Sequence, residues 1–327
     1  MILNLDNNHS KVQQLVNGIT TAISSGEFKV NDTLPSINQI SAKYNLSRDT
    51  VYKAFQRLKS RGIISSTPTK GYYVASAINN VFILLDIFSA YKDDFYQELI
   101  SNLPLNYHVD LYFHQYNKEL FNNLILDSLG RYDLYLVSNL TNDVYCDILD
   151  RLDNSKVILV DFGKFNKDKF SYVCQGFDQT LYDCLTLGLE RIKKYDELMF
   201  IYPESSEHPK SCIPFFKKFC ADNNINNKIL HNKFSKQHIK AGKVYIVVRH
   251  LDVIEFVKIC RKKNLELGKD IGLITFNDTP MLEIIENGIS VISTDFRQMG
   301  KLSAEYIKTR EKIQTYVPTK LIIRGSL

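Results

Sequence analysis

Four polar side chains, Arg48, Tyr52, Gln56 and Lys59, recur every three or four residues in "LSRDTVYKAFQRLKSRGIISS", residues 46–66. On a helix that spacing gathers them on one side and leaves Val51, Phe55 and Leu58 on the other. The chemistry open to the polar side is hydrogen bonding to a polyanion. A guanidinium donates two parallel bonds to the O6 and N7 acceptors of guanine, whereas ammonium groups and hydroxyls hold phosphate without reading sequence. A polar helix face is more often merely solvated, so the neighbouring elements decide between the readings.

Those neighbours form a pattern. Val12, Leu15, Val16, Ile19 and Ile23 predict a first helix, ended by Ser24-Ser25-Gly26. Ser36, following Pro35, forms a capping box with Gln39 and opens a second helix carrying Ile37, Ile40 and Tyr44. Asn45-Leu46 makes a tight turn, Ser47 caps the third helix, and Gly62 ends it. "GIISSTPTKGYYVAS" then predicts two strands joined by a turn at Pro68 to Gly71. Helix, short turn, helix and hairpin is the winged helix-turn-helix arrangement, whose second motif helix enters the DNA major groove.

Charge supports this. Residues 1–80 hold nine Lys or Arg against four acids, while the rest of the chain holds 32 of each. The whole formal excess of +5 therefore sits in the first quarter, where it can attract a polyanion.

Residues 9–76 resemble the winged-helix DNA-binding domain of the GntR family of bacterial transcription regulators, through "LPSINQIS", "LSRDTVYKAFQRLKSRGII" and "KGYYV". The resemblance implies that Arg48 reads a base, that Ser47, Thr50 and Tyr52 touch phosphates or neighbouring bases, and that Lys70 and Gly71 bring the wing tip to the minor groove. Ser36, Asn38 and Lys53 complete the candidate DNA contacts. Asn38 stands where the family usually has arginine, and Thr69 stands where it has the first wing glycine. A winged helix used for protein contacts is the alternative.

Beyond the polar joint "ASAINN", strands alternate with helices: "VFILLDI", "VDLYF", "LYLVS", "KVILVDF", "YVCQGF", "LMFIYP", "KVYIVV", "IGLITF" and "ISVIS", with helices near 91–103, 117–129, 178–194, 208–223, 252–264 and 296–312. This alternation predicts parallel sheets covered on both faces, arranged as two lobes. "GKDIGLITFNDTPMLEIIENGISVISTDFRQMGKLSAEYI" and "PTKLIIRGSL" resemble the C-terminal part of LacI/GalR-type regulators, whose effector domain has the type I periplasmic-binding-protein fold. A GntR-like head on a LacI-like sensor is also the layout of the arabinose repressors, AraR.

Ligands of open α/β sheets bind beyond the carboxyl ends of the strands. That rule selects Asp86, Phe88 and Tyr91 after "VFILL", Asp178 after "VCQGF", Arg249 and Asp252 after "VYIVV", Asn277 and Asp278 after "IGLITF", and Phe296 after "VIST" as an apolar wall. Carboxylates, amides and a guanidinium match the hydroxyls of a sugar, and an aromatic ring matches its C–H face. Each residue singly is equally able to cap a helix, Asp178 and Asp252 above all. LacI-type sensors usually grip the sugar with an arginine in an "RxxGF" stretch; here the stretch reads Cys212-Ile213-Pro214-Phe215-Phe216, which leaves Lys210 or His208 as the substitute, or else implies a different effector or no small effector.

Other chemistries lack their residues. GxGxxG, a P-loop, HExxH and GxSxG are absent, so no enzyme and no cofactor are expected. The six cysteines form no CxxC pair, which leaves no zinc site, and no apolar run reaches the roughly 18 residues of a membrane span. No secretion signal is visible, so a cytoplasmic location is expected. The fold class is α/β: a winged helix-turn-helix domain over 1–76, a linker over 77–80, and a two-lobed periplasmic-binding-protein type I domain with doubly wound parallel sheets over 81–327. The function expected is transcription regulation, as a repressor, by a homodimer on double-stranded operator DNA under control of a small-molecule carbohydrate effector. A sugar-binding receptor without DNA regulation is the alternative.

Overall fold

The structure, a computed structural model, describes residues 10–68, 70–75, 79–141, 144–161, 167–232 and 234–327. Thr69 and linker positions 77 and 78 lie outside the described residues; Asn79 and Asn80, expected in the linker, instead open a strand. The chain divides into two compact units, one of residues 1–83, 103–112 and 127–136, the other of residues 84–102, 113–126 and 137–327.

The winged helix comprises α1 (Lys11–Ser24), α2 (Ile37–Tyr44), α3 (Arg48–Ser60), β1 (Ile64–Thr67) and β2 (Gly71–Val74). Ser36 and Gln39 make both bonds of the capping box, and Ser47 caps α3 by accepting from the Thr50 N–H. Asn45, at φ 51°, turns the chain between α2 and α3; asparagine tolerates this left-handed conformation better than most residues. Leu15, Val16, Ile19, Ile40, Val51, Phe55 and Leu58 share one buried cluster with Ile64 and Val74 of the hairpin. Tyr72 packs edge-on against Phe55, centroids 4.6 Å apart, which seats the hairpin on the helices.

The remainder adds β3 (Asn79–Leu85), α4 (Ala90–Ser101), β4 (Tyr107–Phe113), α5 (Lys118–Ser128), β5 (Leu134–Ser138), β6 (Val157–Val160) and β7 (Ser171–Gln175). There follow α6 (Gln179–Leu187), α7 (Leu189–Ile192), β8 (Glu197–Ile201), α8 (Cys212–Asp222), β9 (Asn227–Leu230), β10 (Lys243–Val247), α9 (His250–Lys262) and β11 (Gly272–Phe276). The last elements are α10 (Pro280–Ile284), β12 (Ser290–Thr294), α11 (Phe296–Thr309), β13 (Gln314–Val317) and β14 (Thr319–Ile322). Every strand expected from the sequence is present. The helix expected over 178–194 breaks at Gly188 into α6 and α7, and β9, β13 and β14 were not anticipated.

Two six-stranded sheets result, ordered β4-β3-β5-β6-β7-β13 and β9-β8-β10-β11-β12-β14. The second is parallel apart from β14, which runs antiparallel to β12. Its strands bury both faces, as period-two alternation requires of a covered sheet. Leu198, Phe200, Val244, Ile246, Ile274 and Ile292 enter one apolar cluster, while Met199, Ile201, Tyr245, Val247, Leu273 and Val291 enter the other.

The chain passes between the sheets three times, after Gln175, at Asp295 and at Pro318. At the second passage α11 packs on α4, and Gly300 makes the close approach possible: a Cβ there would stand 2.5 Å from the Phe95 carbonyl oxygen. Tyr306 of α11 donates to the Ser155 and Val157 carbonyls at 3.1 and 3.3 Å.

Candidate functional site

The exposed face of α3 begins at Ser47 and Arg48, both exposed, followed by half-buried Thr50 and by Tyr52 at 49% exposure. Among the described residues the Arg48 side chain has no hydrogen-bond or ion-pair partner. Lys53 pairs with Asp49 at 2.6 Å one turn earlier, both largely exposed. The Ser47 and Thr50 hydroxyls share a hydrogen bond of 2.7 Å. Gln56 and Lys59 turn toward the hairpin: Gln56 Nε2 reaches the Tyr72 hydroxyl at 3.5 Å, and Lys59 Nζ donates to Ser66 Oγ at 2.9 Å. Ser36 and Asn38 are exposed at the start of α2, with the Ser36 oxygen accepting from the Gln39 N–H at 3.3 Å. Lys70, beside Gly71 at φ 72°, lies over the Tyr73 ring with Nζ 4.7 Å from its centroid.

A cavity of about 760 Å³ opens at the carboxyl ends of strands from both sheets. Asp86, Phe88 and Tyr91 enter from beyond β3, Tyr116 from beyond β4, Asp161 from β6, and Gln175 and Phe177 from β7. Opposite them stand Ser205 to Pro209 after β8, Arg249 to Leu251 after β10, and Phe276 and Asn277 at β11. In each six-stranded order the first strand lies second from the edge, so β3/β5 and β8/β10 are the points where winding reverses, the usual place for a ligand crevice.

At the cavity wall a buried ion cluster forms. Lys92, only 4% exposed, contacts Asp86 and lies 3.0 Å from Asp161. Burial alone would push the Asp86 carboxyl up, but the Lys92 charge and hydrogen bonds from Lys92, Tyr116 (2.8 Å) and the Ile87 N–H (2.7 Å) hold it below the usual carboxylate range. Burial likewise disfavours the Lys92 charge, and Asp161 and Asp86 reverse this, raising its pKa above the ordinary lysine value. The cluster extends through side chains: Gln175 donates to Asp161, Thr294 donates to Gln175 Oε1 at 3.1 Å, and Thr294 shares a 2.6 Å bond with Thr319.

On the other side Arg249 is gripped by Asp252, Nε to Oδ2 at 2.7 Å and Nη2 to Oδ1 at 3.0 Å. His208, packed against Phe276 with centroids 4.3 Å apart, is pushed down to about 3 by burial, and its buried Nε2 has no hydrogen-bond partner among the described residues. His250 Nε2 meets the Phe276 and Asn277 carbonyls at 2.8 and 3.1 Å.

Of the residues selected from the sequence, Asp86, Phe88, Tyr91, Arg249 and Asn277 line this cavity. Asp252 does not; its carboxylate is taken up in orienting Arg249, and it occupies the first turn of α9 rather than the cap, which is Arg249. Asp278 and Phe296 lie instead at a second cavity of about 400 Å³, where Asp278 is bound at both oxygens by Arg324 at 2.8 and 2.6 Å. Phe296 is nearly buried against Tyr91. Asp178 precedes α6 without capping it through its side chain and lies outside both cavities, as does exposed Lys210. His208, the other substitute considered for the missing arginine, does line the larger cavity.

The family model for bacterial regulatory proteins of the gntR family matches residues 11–74. Residues 11–74 are a GntR-type helix-turn-helix domain. Over 64 residues the chain is 41% identical to the uncharacterized HTH-type transcriptional regulator YcxD of Bacillus subtilis, covering 20% of this chain and 14% of that protein. Over 65 residues it is 42% identical to the uncharacterized HTH-type regulator YdcR of Escherichia coli, with the same shares. The match thus spans about 14% of the length of these curated relatives. Among solved structures, the trehalose repressor from Escherichia coli aligns at TM-score 0.63 and 12% identity over 75% of this chain and 100% of that one. A LacI family transcriptional regulator from Lactobacillus casei with bound sucrose aligns at 0.64 and 11% over 76% and 100%.

The α/β part therefore has the fold of LacI-family regulators, joined to a GntR-type domain in an AraR-like layout. Within that fold, sequence reasoning missed Lys92, Tyr116, Asp161, Gln175 and Phe177. Asp161 follows "VILV" and Gln175 ends "SYVCQ", so the carboxyl-end rule applied to every strand would have found both. Lys92 carries no such signal, because a buried lysine in a helix first turn reads like any surface lysine. No helix among the described residues is long and apolar enough to cross a membrane.

Proposed function

We propose that this protein is a ligand-responsive transcription regulator, acting as a repressor and not as an enzyme, whose GntR-type domain binds duplex operator DNA while the LacI-like body binds a carbohydrate in the larger cavity. The observation that carries this reading is the joining, in one chain, of a matched helix-turn-helix domain to an α/β body with a polar, aromatic-walled cavity at its strand ends. Residues 1–76 serve DNA binding and 81–327 serve ligand binding and dimerisation. In this reading Arg48 reads a base edge, Ser36, Asn38, Ser47, Thr50, Tyr52 and Lys53 hold or flank the phosphates, and Lys70 and Gly71 form the wing tip. Two copies bind a two-fold symmetric operator, and the protein works in the cytoplasm.

A ligand switches such a protein only by binding its two states unequally. The bound sucrose in the Lactobacillus casei regulator and the bound glucose in the Weissella paramesenteroides one support a sugar as the class of effector. The test is operator affinity and small-angle scattering of the full chain, with and without sugar, on duplexes from upstream of its own coding sequence. A sugar-dependent change in affinity is the expected result; no binding to duplex DNA in dilute buffer sinks the proposal.

A further inference from the structure

Arg48, Tyr52, Gln56 and Lys59 follow one flank of α3 at three- and four-residue steps, but the fold leaves only two of them free. Gln56 and Lys59, in the second half of the helix, are held to the hairpin through Tyr72 and Ser66. Arg48 and Tyr52, in the first half, are exposed, and neither side chain has a hydrogen-bond or ion-pair partner among the described residues. The readout open to this flank therefore falls to a guanidinium and a phenol ring one turn apart.

A phenol can meet DNA in two ways. Its hydroxyl can hold a phosphate, but Ser47 and Thr50 already present hydroxyls, and Lys53 an ammonium, at the same end of the helix. What Tyr52 alone adds there is an apolar ring standing in water, 49% exposed. The apolar group on a base edge in the major groove is the C5-methyl of thymine. We propose that Tyr52 is a specificity-determining residue whose ring packs on the methyl group of a thymine within about two base pairs of the guanine read by Arg48. This rests on the reading of α3 as the helix that enters the major groove. The spacing follows from the two repeats: four residues of helix advance about 6 Å, and base pairs are stacked about 3.4 Å apart.

In the test, the full chain selects duplexes from a random pool at fixed salt, and each thymine of the enriched sequence is then replaced singly by uracil, which removes the methyl and no hydrogen-bonding group. Fluorescence anisotropy compares the native chain with Tyr52→Phe and Tyr52→Ala. At a thymine within about two base pairs of the guanine whose preference Arg48→Ala loses, uracil should weaken the native chain about fourfold, the worth of one buried methyl-sized group. Tyr52→Phe should keep that sensitivity and Tyr52→Ala should lose it. Both variants should melt with the native chain, since Tyr52 lies outside the buried cluster of the winged helix. The proposal is overturned if no thymine near that guanine responds to uracil, if the response survives Tyr52→Ala, or if Tyr52→Phe abolishes it, which would assign the contact to the hydroxyl. Each of these outcomes, on an enriched sequence, removes the role of Tyr52 alone. Failure to enrich any sequence also overturns it, and if duplex DNA is not bound at all in dilute buffer the DNA-binding reading falls with it.

Discussion

The exposed face of α3 and the wall of the larger cavity handle polar groups in opposite ways. On α3 the Arg48 guanidinium stands in solvent with no protein partner among the described residues, and the Lys53–Asp49 pair is so exposed that it holds little energy. In the cavity Lys92 and Asp86 are buried and Asp161 is half-buried, and the three satisfy one another. The difference follows from the cost of desolvation. A surface meeting a polyanion can leave its donors hydrated until contact, whereas charged groups in a cavity wall must be paired before any ligand arrives or the fold does not hold. Substitutions on the two surfaces should therefore be felt in different measurements, DNA affinity for one and folding stability for the other.

The sharpest way to break that contrast is Lys92→Met, which leaves the buried Asp86 and half-buried Asp161 carboxylates without their counter-charge. A stability loss of about 3–5 kcal/mol is expected in urea denaturation; a loss near zero would mean the cluster is not the structural element described. Acid titration comes next. His114 is held down to about 4 by burial, against a smaller opposing pull from Asp86, and His208 to about 3 by burial alone. Both take a proton in the unfolded chain near pH 6.5 but not in the fold, so their contribution is complete above that pH and shrinks as pH falls toward those values. The slope is about 1.4 kcal/mol per pH unit for each group. Asp86, depressed in the fold, adds stability that is lost only below about pH 4. Urea midpoints between pH 7.5 and 4.5 should fall steeply for the native chain and less so for His114→Gln.

On the other surface, Arg48→Ala should cost about 1–3 kcal/mol at the cognate operator and relax base preference, with the melting temperature unchanged. Fluorescence anisotropy on matched and scrambled duplexes reads both effects; undiminished preference removes the base-reading role. The smallest effect is expected from Lys70→Ala, which should weaken binding to all sequences alike and lower the salt slope by about one.

The same contrast explains what could be read in advance. The winged helix is built from local signals: the Ser36–Gln39 box, the Ser47 cap, and the Val51, Phe55 and Leu58 stripe all stand within a turn or two of what they fix. The nine expected strands were apolar runs that needed no partner to be recognised. The unanticipated β9, β13 and β14 are four-residue edge strands whose residues, Val317 apart, are exposed or half-exposed, and β13 and β14 are separated by Pro318 alone, so nothing in the apolar pattern marks them. At the cavity, the residues named in advance stand at strand ends, where topology alone points. What escaped was the pairing. Nothing in the sequence says that Asp278 belongs to Arg324 or Asp252 to Arg249, because each bond depends on where a loop comes to rest.

The side-chain ladder from Asp161 through Gln175 and Thr294 to Thr319 spans the last residues of β7 and β12 and the first of β14. An amide has distinct ends, and here the nitrogen faces the carboxylate while the oxygen faces a hydroxyl. A neutral, non-accepting residue at 161 would strand the amide nitrogen, and glutamate at 175 would set two acids face to face. A change at any rung of the ladder is thus felt at the three strand termini where the polypeptide changes sheets.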